Sequence, residues 1–126
     1  MGAAVEVQRA LFSALTGAGL RVYDMAPQAA VWPYVEIGYT SLGDNGSQTN
    51  QGFSVLVRIH TRVESTSTAG AVKAIQDQIY GVLHRQALTI TGQNTILVMR
   101  EMSDCTRAPD GSFHGVCEYR ALTETL

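Results

Sequence analysis

The chain has 126 residues, of which 45% are hydrophobic and 16% charged, and a formal net charge of -2 at pH 7, which fits one domain spanning residues 1–126. This balance provides no basic surface for phosphates and argues against nucleic-acid binding driven by phosphate contacts. No apolar run approaches the roughly 20 residues that span a bilayer, and the N-terminus lacks a signal-peptide pattern, so we expect a cytoplasmic protein without a membrane partner.

The first predicted element is an amphipathic helix over residues 3–16. Apolar residues, including Val7 and Leu11, recur at helical spacing along one side of this segment. Gly17 follows the last apolar residue, as is typical of a helix end. The helix is therefore expected to pack one face against the core.

A short extended segment is predicted over residues 21–24, followed by a strand over residues 31–40. Pro33 should lie at the beginning of that strand or on an edge, because proline cannot donate a ladder hydrogen bond. We interpret the neighbouring Trp32 and Tyr34 as core or interface packing, since aromatic side chains dominate both environments.

Residues 41–52 are predicted to form a mobile loop. They include one aliphatic residue and three glycines, too little apolar surface to offset the entropy of ordering. Two interpretations stay open: a flexible hairpin tip, or a contact arm that orders only against another protein. The members are Ser41, Leu42, Gly43, Asp44, Asn45, Gly46, Ser47, Gln48, Thr49, Asn50, Gln51 and Gly52.

The strongest strand pattern covers residues 53–62, where apolar and polar residues alternate, broken only by Leu56. The alternation predicts a half-buried central strand. One side carries Phe53, Val55, Val57 and Ile59, and the other carries Ser54, Arg58, His60 and Arg62.

The best amphipathic helix pattern covers residues 69–84, and its apolar stripe should cover the apolar side of the central strand. Three strands are predicted after it, over residues 88–91, 95–105 and 113–123, with a Pro-Asp-Gly turn at residues 109–111. This order of elements predicts an α+β fold, an antiparallel or mixed β-sheet with two amphipathic helices packed on it.

The sequence provides no recognisable catalytic, cofactor-binding or metal-binding site. His60, His84 and His114 have no short metal-ligand spacing. Cys105 and Cys117 match no redox or zinc motif and are expected to be free thiols, although a cross-hairpin disulfide stays open. Strand alternation places His114 and Cys117 on opposite faces, which does not suit a catalytic dyad.

A mixed set of charges is predicted for the second face of the sheet and its hairpin. Two interpretations stay open: a solvated face with weak ion pairs, or a face docked against another copy of the chain, where opposite charges would fix register. The residues are Arg58, Arg62, Arg100, Glu101, Asp104, Glu118 and Arg120.

Short segments over nearly the whole chain share their order and spacing with one known family. They include Arg21-Val22-Tyr23-Asp24, Pro33-Tyr34-Val35-Glu36-Ile37-Gly38, Ala74-Ile75-Gln76-Asp77 and Asp110-Gly111-Ser112-Phe113-His114-Gly115-Val116. In this respect the chain resembles the tail terminators, or tail-to-head joining proteins, of siphophage-type viruses, related prophages and gene transfer agents. One departure is His60-Thr61, where a Trp-Ser pair is expected.

The resemblance implies a structural protein without catalytic residues or a cofactor. Copies would close into a ring, commonly a hexamer, at the head-proximal end of the tail tube, ending tube polymerisation and joining tail to head. The partners would be the chain itself, the tail tube protein and the head-tail connector or stopper protein, and DNA would pass through without sequence-specific binding. The protein would assemble in the bacterial host cytoplasm and then reside at the head-tail junction of the particle.

The candidate contacts with the tube or connector are the loop residues 41–52. Two alternative functions stay open: a head-completion or connector protein of the same particle, and a small ligand-binding α+β domain with a concave apolar pocket near Trp32 and Tyr34. The candidate subunit-interface residues are Trp32, Tyr34, Arg58, Arg62, Arg100, Glu118 and Arg120.

Overall fold

The structure is a computed structural model that describes residues 3–44, 52–86, 88, 90 and 92–125. Five strands form one sheet with the order β1-β2-β3-β5-β4. The elements are α1 (Ala3–Gly17), β1 (Val22–Tyr23), β2 (Tyr34–Asp44), β3 (Gly52–Val63), α2 (Ala69–Leu83), β4 (Gln93–Arg107) and β5 (Phe113–Thr125).

The sheet is mixed, with β3 at its centre. β1 pairs with β2 in parallel, whereas β2, β3, β5 and β4 pair antiparallel along the rest of the sheet. Strand β3 extends the predicted central strand by one residue at each end, which confirms that the alternation at residues 53–62 marks the middle of the sheet.

Both helices cover the same side of the sheet. Alternate side chains of β3 are fully buried there, because a period of two residues directs them all to one face. The cluster they form confirms the predicted α+β packing. It joins Val7, Leu11 and Leu15 of α1 and Ile79 and Leu83 of α2 to Val55, Val57 and Ile59 of β3.

Helix α2 lies very close to the sheet at Gly115. A β-carbon at this position would lie 2.5 Å from Val72 Cγ1 and 2.5 Å from Gln76 Nε2. The amide of Gln76 is buried at this contact and uses both ends, donating to the Asp104 carbonyl at 2.8 Å and accepting from the Ser103 hydroxyl at 3.2 Å. The missing side chain of Gly115 therefore sets how closely the helix lies on β5.

The predicted loop at residues 41–52 is too long at both ends. Strand β2 continues through Asp44 and β3 begins at Gly52, so the two strands stay paired beyond the predicted boundaries. The prediction was based on the lack of apolar side chains, but strands pair through their backbones. The hydrogen bonds between β2 and β3 outweigh the low strand propensity of glycine at Gly43. Residues 45–51, the remainder of the loop, lie outside the described residues.

Two further predicted boundaries differ from the structure. Strand β4 begins at Gln93, two residues before the strand predicted over residues 95–105, and Gly92 just ahead of it has a turn conformation with φ of 76°. Of the strand predicted over residues 88–91, only Ile90 is described as an isolated bridge. Residues 89 and 91 lie outside the described part of the chain.

Candidate protein-interaction face

The side of the sheet opposite the helices is the candidate functional surface, and we call it the open face. Within the described ranges, no helix lies over it, because α1 and α2 share one core cluster on the other side. On the two central strands the open face consists of Ser54, Leu56, Arg58, His60 and Arg62 of β3 and His114, Val116, Glu118, Arg120 and Leu122 of β5.

The open face mixes charged and apolar side chains. Leu56, Val116 and Leu122 are half-buried by their neighbours on the sheet, and Met102 of β4 is 37% exposed beside Glu118. A face with this composition can both bury apolar area and fix orientation through charges when another protein covers it.

Arg58 and Glu118 form an ion pair at the centre of the open face. They lie directly opposite each other on β3 and β5. Arg58 Nη2 and Nε donate to the same carboxylate oxygen, Glu118 Oε1, at 2.8 and 3.2 Å. The Glu118 side chain is only 18% exposed, so its charge is held in one place by the sheet.

Arg120 connects three strands across the same face. Its Nε donates to Glu101 Oε1 of β4 at 2.9 Å, and its Nη1 donates to Ser54 Oγ of β3 at 2.6 Å. Both ends of the guanidinium are therefore engaged. These contacts already restrict the conformations of the Arg120 side chain. Less conformational entropy is therefore lost when a partner docks on it.

His60 and His114 meet on the open face near the beginning of β5. Their rings are stacked with centroids 5.0 Å apart, and His60 Nδ1 lies 2.8 Å from His114 Nε2. Gly38 of β2 lies against the His60 ring, since a β-carbon there would be 2.9 Å from two of its atoms. The ring of His60 is thus enclosed between two neighbouring strands.

Burial lowers the pKa of both imidazoles below the ordinary value of 6.5. For His60, the Glu36 carboxylate opposes this effect, while Arg62 and Arg58 add to it. For His114, Arg62 and the neighbouring His60 lower the pKa further. The pair is therefore held in its neutral form at neutral pH.

Arg100 lies on the helix side of the sheet, not on the second face where its sequence pattern placed it. It stands opposite the buried Tyr119, and its guanidinium carbon is 4.4 Å from the centre of the Tyr80 ring of α2. The reason is a register shift in β4 between Arg100 and Met102. An extra residue in a strand reverses the alternation beyond it.

Trp32 and Tyr34 lie at one corner of the open face, where Tyr34 is the register partner of Arg62. Tyr34 is 8% exposed and packs edge-on against Tyr23 and Trp32, with centroid distances of 5.5 and 5.4 Å. Burial raises the pKa of its hydroxyl. Tyr34 mainly supports its neighbours, whereas Trp32 as a whole residue is only partly buried.

The remaining reactive side chains are dispersed. Cys117 is buried on the helix side with its sulfur 3.6 Å from Ser103 Oγ, and burial raises the pKa of its thiol. Cys105 faces Gly115 in the register, so the two cysteines are not cross-strand partners and both are free. His114 lies on the opposite face from Cys117, as alternation predicted.

In the part of the chain that the structure describes, no three or more histidine, cysteine, aspartate or glutamate side chains converge as a metal site would require. His84 stacks on Tyr80 at the end of α2, with its Nδ1 accepting from the Arg100 backbone N–H at 3.1 Å, away from the other two histidines. No described helix has the length and hydropathy needed to cross a bilayer.

Sequence reasoning brought Arg58, Arg62, Glu118 and Arg120 to one face, and the structure places them there. It missed the contact between His60 and His114. The alternation of apolar and polar residues predicted the sheet face of each histidine. The two histidines are diagonal neighbours on β3 and β5, however, and their contact depends on the pairing register of the two strands, which the sequence of either strand alone does not reveal.

The fold is that of a known virion component. A chain of a solved structure titled "Virion of native gene transfer agent (GTA) particle" superposes with a TM-score of 0.83 at 17% sequence identity, covering 98% of this chain and 98% of that one. No significant match is found among curated proteins.

The family follows from the sequence itself. The family model described as "Tail completion protein gp17" matches residues 4–124, and the chain therefore belongs to that family. The match confirms the resemblance noted in the sequence. It gives the protein a structural role in a phage-type tail.

Proposed function

We propose that copies of this chain form a ring at the head-proximal end of a tail tube, where the ring ends tube polymerisation and joins the tail to the head. The family membership supports this role, since the family is one of tail completion proteins. In this proposal the protein acts through its surfaces and performs no catalysis, and DNA passes through the ring without sequence-specific contacts.

The open face is the observation that carries the proposal. It is a broad sheet surface with half-buried aliphatic side chains around the fixed Arg58–Glu118 and Arg120–Glu101 pairs. Opposite charges held side by side set the register and orientation of a docked surface more than they add affinity. We propose Arg58, Arg62, Glu118 and Arg120 as contacts between copies.

A ring of this kind ends polymerisation through its geometry. Contacts between two different patches on neighbouring copies are heterologous, and they close into a ring when the rotation between copies divides a full turn. The closed ring then presents one surface to the tube and another to the connector or stopper protein. Growth stops because the outer surface no longer repeats that of the tube.

The segment at residues 41–52 is proposed as the contact with the tube or connector. Its described part forms the paired ends of β2 and β3, where Leu42 is 50% exposed. An exposed aliphatic side chain at the end of a hairpin provides apolar area to a partner without disturbing the core.

Electron microscopy of particles made without this protein tests the proposal. We expect tail tubes of uneven, extended length that are not attached to heads, and supplying the protein from a plasmid should restore joined particles. Tubes of normal length that lie separate from the heads would instead indicate a head-completion or connector protein. Normal joined particles in its absence would contradict both assignments.

A further inference from the structure

Three segments that are distant in sequence converge at the end of the sheet where β3 ends and β5 begins. Together they line a broad, open groove of about 560 Å³. Its lining includes Val31, Trp32, Glu64, Thr66, Asp110 and Ser112. None of these residues belongs to the ion pairs of the open face.

The wall formed by residues 31 and 32 is fixed by side chains from β1 and its flank. Arg21 Nη1 donates to the carbonyl oxygens of Val31 at 3.2 Å and Pro33 at 2.9 Å. The Val31 N–H donates to the Tyr23 hydroxyl at 3.4 Å. Trp32 is therefore presented on a loop whose backbone is already held in position.

The opposite wall is equally ordered. Asp110 Oδ1 accepts from the Ser112 N–H at 2.9 Å and from the Ser112 hydroxyl at 2.6 Å. Gly111 adopts a φ of 89°, a left-handed conformation that favours glycine, and its α-carbon faces Ser65 closely enough that a β-carbon would lie 3.4 Å from Ser65 Cβ. The Glu64 carbonyl accepts from the Ser67 N–H at 3.0 Å.

The groove combines apolar surface with negative charge. Val31 is 56% exposed, and Trp32, which is only partly buried, lines the groove beside it. The carboxylates of Glu64 and Asp110 stand at the other wall, and no basic side chain is among the described residues that line the groove. The hydrogen bonds from Ser112 and, to a smaller extent, the positive charge of the nearby Arg62 lower the pKa of Asp110. Among the described residues, neither carboxylate takes part in an ion pair.

We propose that this groove binds an extended segment of a partner protein that carries an arginine or lysine next to an aliphatic side chain. The aliphatic group packs on Val31 and Trp32, and the cation lies between the indole face and the two carboxylates, where cation–π and charge attraction add. Because both walls are held by internal hydrogen bonds, binding costs little ordering of the groove. This second interface does not depend on ring formation.

The single tryptophan of the chain makes the proposal directly testable. The full-length protein, labelled with ¹⁵N, is titrated with an acetylated and amidated peptide of sequence Gly-Leu-Arg-Leu-Gly at millimolar concentration. The matched probe carries citrulline in place of arginine, which keeps the size and loses the charge. The readout is the indole N–H resonance of Trp32 and the amide resonances of Glu64 and Ser112.

With the arginine peptide we expect saturable shifts at these three residues, and about two- to five-fold weaker binding of the citrulline peptide. Glu64→Gln should weaken binding of the arginine peptide by a similar factor, because it removes the negative charge. The groove should keep its shape, because the backbone contacts of residue 64 are unchanged. Glu101→Gln on the open face is the control and should have no effect. The proposal is overturned if the shifts lie outside the groove or do not occur, if both peptides bind equally, or if the two variants behave alike.

Discussion

His60 Nδ1 lies 2.8 Å from His114 Nε2 on the open face, a separation at which one hydrogen is shared between the two nitrogens. The pair can take up a first proton and keep this hydrogen bond. A second proton would place N–H against N–H and two positive charges in contact. The groups around the pair are Glu36 of β2, Arg58 and Arg62 of β3 and, farther along the face, Asp104 of β4.

We therefore expect the protein to lose stability on mild acidification. Both folded-state pKa values are lowered, so between them and the unfolded value of about 6.5 the unfolded chain binds more protons, and stability falls as pH decreases through this window. Above pH 6.5 the contribution is complete. Urea unfolding at a series of pH values measures this slope.

His114→Gln is the variant that tests this origin, because it removes one titrating group and leaves a side chain of similar polarity. Its stability should depend less on pH just below about 6.5 than that of the unaltered protein. The C2 proton resonances of His60 and His114 provide a second measurement and should titrate below the ordinary histidine range. An unchanged slope in the variant would contradict the assignment.

Gly115→Ala should destabilise the fold. Its new methyl group would lie 2.5 Å from Val72 Cγ1 and Gln76 Nε2, so α2 must shift, and overpacking of this kind costs about 1 to 3 kcal/mol. Gly81→Ala is the matched control, because Gly81 is exposed in the same helix and has nothing within 4 Å of its β-carbon position. That change should stabilise by about 0.5 to 1 kcal/mol. Chemical unfolding of both variants decides the point, and equal effects would be inconsistent with the close approach.

Thr61→Val should stabilise the protein. Thr61 is fully buried in β3, and its hydroxyl has no hydrogen-bond partner among the described residues. A buried polar group without a partner costs about 1 to 3 kcal/mol, and valine has nearly the same shape. Thr61→Ala removes the hydroxyl and a methyl group together, so it should be less stable than Thr61→Val in thermal unfolding. A destabilised valine variant would show that the hydroxyl is satisfied in solution.

Local periodicity predicted the parts of the fold that depend on one segment at a time. The alternation of residues 53–62 located the central strand, and the apolar stripe of residues 69–84 located α2 to within one residue. Arg100 could not be placed in this way, because a bulge in β4 is visible only against the register of its partner strand. The sequence suggested a concave pocket near Trp32 and Tyr34 only as an alternative, and the opposite wall of the groove could not be predicted, because the groove exists only where three separated segments meet.

The Arg58–Glu118 pair provides the sharpest test of the open face as an interface. Glu118→Arg places two cations opposite each other on adjacent strands, which should cost about 1 kcal/mol of stability. The double variant Arg58→Glu/Glu118→Arg restores an ion pair within the chain but reverses its orientation toward any docked surface. The double variant leaves the net charge unchanged. Asp77→Arg, on an exposed position of α2, changes the net charge by the same amount as Glu118→Arg and controls for that change.

If the open face docks against another copy or partner, the double variant regains stability in thermal unfolding but yields few joined particles when it replaces the unaltered protein. The Asp77→Arg control should yield normal numbers, because its charge lies on the other side of the molecule. Both measurements are needed. Thermal unfolding tests the ion pair within the chain, whereas the number of joined particles tests the contact of this pair with a docked protein after assembly. Joined particles at the normal level from the folded double variant would mean that this pair acts only within the chain, and that the contacts between copies lie elsewhere.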